Sequence, residues 1–287
     1  MKNRTDLADE GLEDLQGEGF EKEVKKEEEL EIITVNVKTK AAANILKKPI
    51  GRYITIQKQD ILEPQNFKEV EMVLRKEITP FLEGNKNILF VGLGNRDITP
   101  DRVGPDVADK IVATRHIGGR LKKILGYEDL RSVSVIAPGV LGQTGIETTE
   151  IVKACFKHVK PDLIIIVDAL AAREFKRLGT TIQITDTGIC PGSGVENKRK
   201  EISEKVLGVP VLVIGVPTVV DMKQLNSKKE DEAEFSMMVT PKNVDLIVKR
   251  AAKLISSSIN NAIFNKMDKE DLEIFCEWKF IVCSNKN

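Results

Sequence analysis

Two aspartates stand where apolar runs give way to turns. Asp168 closes the run Leu163 to Val167, five apolar residues in a row. A carboxylate at the tip of such a buried strand loses hydration unless it finds a partner. Groups in this position are enriched at functional sites, because burial and neighbouring charge displace their acidity. The plain structural alternative is an Asp held by the amides of Ala169, Leu170 and Ala171, or paired with Arg173. Asp101 lies in Thr99-Pro100-Asp101, downstream of Val91-Gly92-Leu93-Gly94-Asn95. Thr99 as cap and Pro100 at the first helical position predict a helix entry. The bland role for Asp101 is then to complement the positive end of that helix. Asp97 is its local rival. Two carboxylates brought close cannot both ionise easily, so they share a proton. The ionised member can then draw a proton from water while the protonated one polarises a scissile carbonyl. Such hydrolysis calls for no metal, no cofactor and no thiol.

Other chemistries are weaker on these residues. Gly92-Leu93-Gly94 after a strand invites a dinucleotide reading, but that pattern wants a third glycine where Asp97 stands, and a carboxylate there repels a pyrophosphate. Cys190 sits in a glycine-rich loop without an adjacent base. Ser193, in Gly192-Ser193-Gly194, lacks the spacing of a nucleophile elbow, although its loop could offer amides to a peptide or an oxyanion. Glu147 either lines the cleft or is simply an acid at a helix start. The two histidines, His116 and His158, are far apart, and no HExxH zinc motif is present.

The elements that must position these groups follow from the apolar pattern. Asn87–Gly92, Ser132–Ala137, Asp162–Asp168 and Val209–Val216 read as buried strands. Leu30–Val37, Arg52–Ile56 and Thr181–Ile184 read as further strands, and Phe67–Leu82, Thr99–Thr114, Thr149–Lys157 and Asn243–Phe264 as helices. Continuous apolar strands alternating with helices imply an α/β fold, a mostly parallel sheet with helices on both faces. Reactive groups in such sheets collect beyond the carboxyl ends of the strands. The 287 residues suit a single α/β domain from residue 8 to 287. The charged stretch to about residue 30 is expected to be mobile or loosely docked. Lys223–Phe235 reads as a surface loop. The 44 basic and 44 acidic residues cancel, so direct nucleic-acid binding is not expected. No apolar stretch is long enough to cross a bilayer, and four scattered cysteines read as reduced thiols.

Taken together and in order, the segments resemble the germination protease (spore protease) family. They include Arg4-Thr5-Asp6-Leu7-Ala8, Gly51-Arg52-Tyr53, Val91-Gly92-Leu93-Gly94-Asn95, Thr99-Pro100-Asp101, Gln143-Thr144-Gly145-Ile146-Glu147-Thr148, Val167-Asp168-Ala169-Leu170, Pro191-Gly192-Ser193-Gly194-Val195 and Gly215-Val216-Pro217-Thr218. The resemblance implies an endopeptidase that begins degradation of small acid-soluble spore proteins during germination. It implies a fold similar to hydrogenase-maturation proteases (phosphorylase/hydrolase-like) and the catalytic pair Asp101 and Asp168. Gly92, Gly94, Asn95, Asp97, Glu147, Arg173 and Ser193 are the cleft and support candidates. The family further implies a zymogen that removes a short leader, a homotetramer, and a cytoplasmic site in the forespore or spore core. Asp6-Leu7-Ala8-Asp9-Glu10 resembles the family's substrate series, with Asp9 where a hydroxyl is common, so residues 1–7 are expected to be a propeptide cut beside Leu7, within Thr5 to Ala8. Two rival readings remain: a metal-dependent protease of the hydrogenase-maturation type, and a non-catalytic nucleotide-binding α/β protein.

Overall fold

The computed structural model describes residues 5–14, 19–191, 201–221, 237–268, 270–272 and 274–275. Nine strands form one sheet: β1 (Phe20–Glu27), β2 (Leu30–Val37), β3 (Gly51–Gln57), β4 (Asn87–Gly92), β5 (Ser132–Ile136), β6 (Leu163–Ala172), β7 (Thr181–Thr185), β8 (Val211–Asp221) and β9 (Met238–Val239). The helices are α1 (Lys40–Leu46), α2 (Phe67–Leu82), α3 (Val103–Ala108), α4 (Gly119–Ile124), α5 (Leu141–Thr144), α6 (Thr148–Val159), α7 (Glu204–Leu207) and α8 (Val244–Ile263). The strand order is β1-β2-β3-β7-β8-β6-β4-β5, with β9 on β8.

The run Leu163–Val167 is apolar throughout because its residues alternate between two covered faces. Ile165 and Val167 point with Phe90 and Ile214 into the core under α2 and α8. Ile164 and Ile166 point with Leu89, Val91 and Val213 toward Val152 of α6. Farther along this second face, Ile33, Val35 and Tyr53 pack against Ala42 and Leu46 of α1 and against Ala8 and Leu12 of the N-terminal segment. Helices therefore cover both faces, as an α/β fold requires.

The structure departs from the sequence reading in four places. The sheet is mixed rather than mostly parallel: β5, β4, β6 and β8 run parallel, whereas β1, β2, β3, β7 and β9 pair antiparallel. The alternation of β2 marked a strand, but strand direction leaves no trace in periodicity. Second, β6 continues four residues past Asp168, so that residue is not at a strand tip. It lies where the β4 pairing stops, at Gly92 opposite Val167, which leaves that edge of β6 open. Third, residues 99–114 are not one helix. Thr99–Asp101 is a single 3-10 turn with Ile98, not Thr99, at its cap position. Helix α3 ends at Ala108, after which Asn260 of α8 captures the chain, accepting from the Val112 amide at 3.1 Å and donating to the Lys110 carbonyl at 2.9 Å. Fourth, the charged N-terminal stretch is ordered where described: Phe20–Glu27 is an edge strand on β2, and Leu7 and Ala8 are fully buried. The loop expected at 223–235 lies outside the described residues.

Candidate active site

Strand β4 delivers the chain into a turn that only glycine permits. Gly94 has φ of +121°, and a Cβ there would stand 1.9 Å from the Asp101 carbonyl oxygen. This closeness lets the Asn95 amide reach back to Asp101, donating to its carbonyl at 3.1 Å and to its carboxylate Oδ2 at 2.9 Å. Gly92 and Gly104 let α3 press onto the strands: a Cβ on Gly104 would lie 2.2 Å from the Leu93 carbonyl and 2.4 Å from that of Val167. Thr218 of β8 donates its hydroxyl to the Pro100 carbonyl at 2.7 Å, pinning the turn from the opposite side.

Asp168 sits inside β6 with its carboxylate accepting from the Ala169 amide at 2.9 Å. Burial pushes its pKa well above the ordinary aspartate range, and the charge of Asp101 pushes it further, with Asp6 adding a smaller increment. Asp101 is also raised, by burial, against the opposing effect of the Asn95 amide. Asp101 thus lies near enough for its charge to oppose ionisation of Asp168. Asp97, the rival, is exposed and accepts from Gln143 Nε2 at 2.9 Å. Asn95 Oδ1 accepts from the same Gln143 nitrogen at 2.6 Å and from the Asp97 amide at 2.9 Å. Asp97 and Asn95 therefore tie the turn to α5.

The remaining candidates fall elsewhere. Glu147 occupies the position before α6, the plain helix-start role. Arg173 brings its backbone amide to this region, where it donates to Glu10 at 2.8 Å. Ser193 lies outside the described residues. Cys190 is an exposed free thiol whose pKa is pushed up by partial burial and by Glu201, the wrong direction for a nucleophile. Among the described residues, no group of three or more His, Cys, Asp or Glu side chains could hold a metal ion.

The chain's own N-terminal segment lies across the sheet beside the aspartates. The Asp6 amide donates to the Ala171 carbonyl on the open edge of β6, and the Ala171 amide donates to Asp6 Oδ2, both at 2.8 Å. Leu7 is fully buried among Leu170, Ala172, Leu178 and Val220. Gln183 grips the backbone on both sides of Leu7, donating to the Asp6 carbonyl at 3.0 Å and accepting from the Ala8 amide at 2.8 Å. Asp9 accepts from the Thr55 hydroxyl at 3.0 Å and forms an ion pair with Arg177. Glu10 accepts from the Arg173 and Glu174 amides at 2.8 and 3.1 Å. Asp168, Gly215, Gln183 and Thr55 are cross-strand neighbours in one register row. The segment therefore follows a track that begins at Asp168.

Sequence reasoning singled out the segment that holds Thr218 but did not find Thr55, Arg177 or Gln183 as parts of this region. Polar residues inside a strand read as a solvated face, and only the register reveals that Thr55 and Gln183 stand in line with Asp168, while Arg177 comes from the 3-10 turn before β7.

The N-terminal segment thus docks on an α/β sheet beside Asp168, a carboxyl whose ionisation Asp101 opposes. The germination protease family model matches residues 1–233, and the chain belongs to that family. The germination protease of Clostridium tetani is 38% identical over 322 aligned residues, covering 96% of this chain and 99% of that protein. That of Caldanaerobacter subterraneus subsp. tengcongensis is 40% identical, covering 91% and 94%. That of Bacillus cereus strain ATCC 10987 is 44% identical, covering 79% and 66%. A solved [NiFe] hydrogenase maturation protease, HycI from Thermococcus kodakarensis, aligns over 64% of this chain and 99% of its own, at 19% identity and a TM-score of 0.37. This protein is accordingly a protease of spore germination, and the non-catalytic nucleotide-binding reading is set aside. No described helix is long and apolar enough to cross a membrane.

Proposed function

We propose that this chain is a sequence-specific endopeptidase that starts the breakdown of small acid-soluble spore proteins, and that Asp101 and Asp168 activate the attacking water. The observation that carries the reading is the docking of Asp6-Leu7-Ala8-Asp9-Glu10 beside the aspartate pair. An acidic, apolar, small, acidic, acidic series is held beside Asp168 by backbone and side-chain hydrogen bonds, with Asp9 and Glu10 opening a 3-10 turn.

The displaced acidities assign the roles. Asp168 keeps its proton and donates it to the scissile carbonyl oxygen. Asp101 is ionised and takes a proton from water as the water oxygen bonds to the carbonyl carbon. Collapse of the tetrahedral intermediate breaks the carbon–nitrogen bond. The departing amine then takes the proton from Asp101, and the hydroxyl proton returns to Asp168. Both carboxyls end as they began. The Asn95 amide, fixed on Asp101, holds the base in place throughout.

The same cleft acts first on its own leader. Residues 1–7 form a propeptide, cut within Thr5 to Ala8 beside Leu7, and the zymogen processes itself. The mature enzyme is a homotetramer in the cytoplasm of the forespore and the spore core.

Incubating the purified protein with a small acid-soluble spore protein tests this reading. One or a few defined cuts are expected, unaffected by chelators and by serine or thiol inhibitors, together with loss of residues 1–7 from the protease. Cleavage abolished by chelation would favour the metal-dependent alternative. A spore protein left intact would overturn the proposal.

A further inference from the structure

We infer that Thr218 is a positioning residue for the water-activating pair: its hydroxyl holds the Pro100 carbonyl and so sets where Asp101 stands relative to Asp168. Thr218 has this role only if the proposed peptidase reading holds, and it adds to that reading the group that fixes the base from the β8 side.

A break in strand register brings the hydroxyl there. Between β6 and β8, Leu170 lies opposite Pro217 and Ala171 opposite Val219, so Thr218 is an extra residue, a β-bulge. The side chains on either side of it show the break. Val216 belongs to the core under α2 and α8, whereas Val220 packs with Leu7, Leu170 and Ala172. Two residues four apart on an unbroken strand would share a face. Bulges recur where a strand must re-aim a side chain, and this one turns a buried hydroxyl onto the turn that carries Asp101. Thr218 is fully buried. Its hydroxyl donates to the Pro100 carbonyl at 2.7 Å, and its own carbonyl accepts from the Thr240 hydroxyl at 2.9 Å. The bulge is thus held in turn by the segment that leads from β9 into α8.

The link from this hydroxyl to the carboxylate is short and stiff. The Pro100 carbonyl and the Asp101 nitrogen belong to one planar peptide group, so holding the oxygen fixes the start of Asp101. The proline ring already fixes the φ angle before that plane, which leaves one backbone angle for the hydroxyl to hold. From the other side, the Asn95 amide donates to the Asp101 carbonyl at 3.1 Å and to its Oδ2 at 2.9 Å. Asp101 is clamped between these two donors. Strand β8 also pairs with Asp168 itself, through Gly215, so one strand sets the place of both acids. Without the hydroxyl, the Pro100 carbonyl must find another donor, and the turn moves with it. Misplacement of a reacting group by about 1 Å can cost about 10²-fold in rate.

The test compares the full-length wild type with Thr218→Ser, Thr218→Ala and Thr218→Val on a small acid-soluble spore protein. Serine keeps the hydroxyl, whereas alanine and valine lack it. The Ala and Val variants should lose about 10- to 100-fold in kcat, with KM within about twofold of wild type. The Ser variant should keep kcat within about threefold. The pH profile gives a readout that damage to the fold alone would not move. Asp101 and, more weakly, Asp6 oppose the ionisation of Asp168. As Asp101 drifts away, the larger of these two charges is relieved, so the alkaline limb should move to lower pH in the Ala and Val variants. Should valine fail to fold, the Ala and Ser pair decides, because those side chains differ only by the hydroxyl. An unchanged kcat in a folded Ala or Val variant, a Ser variant as slow as Ala, or a loss confined to KM would each overturn the inference. A wild type that leaves the spore protein intact would instead overturn the peptidase reading beneath it.

Discussion

Asp168 holds a proton that the unfolded chain would release, because burial and Asp101 both oppose its ionisation. The folded protein thus binds more protons than the unfolded one between the ordinary aspartate value, about 3.9, and the raised value. Stability accordingly falls as pH rises through that window. Asp168→Asn removes this penalty, so it should raise the melting temperature near neutrality by on the order of a few °C. Thermal unfolding of both proteins at pH 5 and pH 8 checks this: the gap should widen toward pH 8, and a gap that narrows would contradict the assigned direction. Gly94→Ala should act on Asp101 alone. Its Cβ would collide with the Asp101 carbonyl at a positive φ, so stability should drop by about 1–3 kcal/mol and turnover should fall. The burial of Asp168 was legible in the sequence, since a carboxylate after an apolar run is conspicuous. Which of Asp97 and Asp101 turns inward was not, because that depends on the Gly94 backbone and the Asn95 amide.

At the scale of elements, side-chain bonds to carbonyls at helix ends hold the scaffold together. Arg131 donates to the carbonyls of Leu82 at 3.2 Å, Asn85 at 3.2 Å and Ile263 at 2.6 Å, joining the C-terminal ends of α2 and α8. Leu82 and Ile263 are the last residues of their helices and Asn85 follows α2, so one planar fork ties the two helix ends together. Arg131→Ala should cost about 2–4 kcal/mol in urea unfolding while leaving kcat near wild type. A comparable loss of kcat would mean that α8 positions the chemistry directly. Helices α2, α6 and α8 and the strands from β2 to β8 were recognisable by period, within a few residues at their ends. The breakup of 99–114 was not, because the partner that ends α3 is Asn260, some 150 residues away. The antiparallel half was likewise hidden, since pairing direction is a tertiary choice.

Across the whole molecule, the N-terminal segment completes the second face of the sheet. Leu7 and Ala8 fill space that would otherwise open above Leu170 and Tyr53. The charge-rich composition of residues 1–30 hid this, because three buried contacts outweigh a polar average. A tethered leader also competes with substrate at an effective concentration in the millimolar range. Cleavage of an added peptide should therefore start slowly and accelerate by roughly tenfold or more as residues 1–7 are lost. A chain beginning at Ala8 should show no lag. Mass spectrometry of the N-terminus alongside initial rates would show the two events in step, and a constant rate throughout would refute the competition.

The shared role of the two acids is tested most directly by turnover of a small acid-soluble spore protein with the Asp101→Asn and Asp168→Asn variants. Both should keep the circular dichroism of the wild type. Each should lose cleavage by about 10²- to 10⁴-fold, the range that a positioned acid or base supplies. Near-normal turnover by both folded variants would contradict the account.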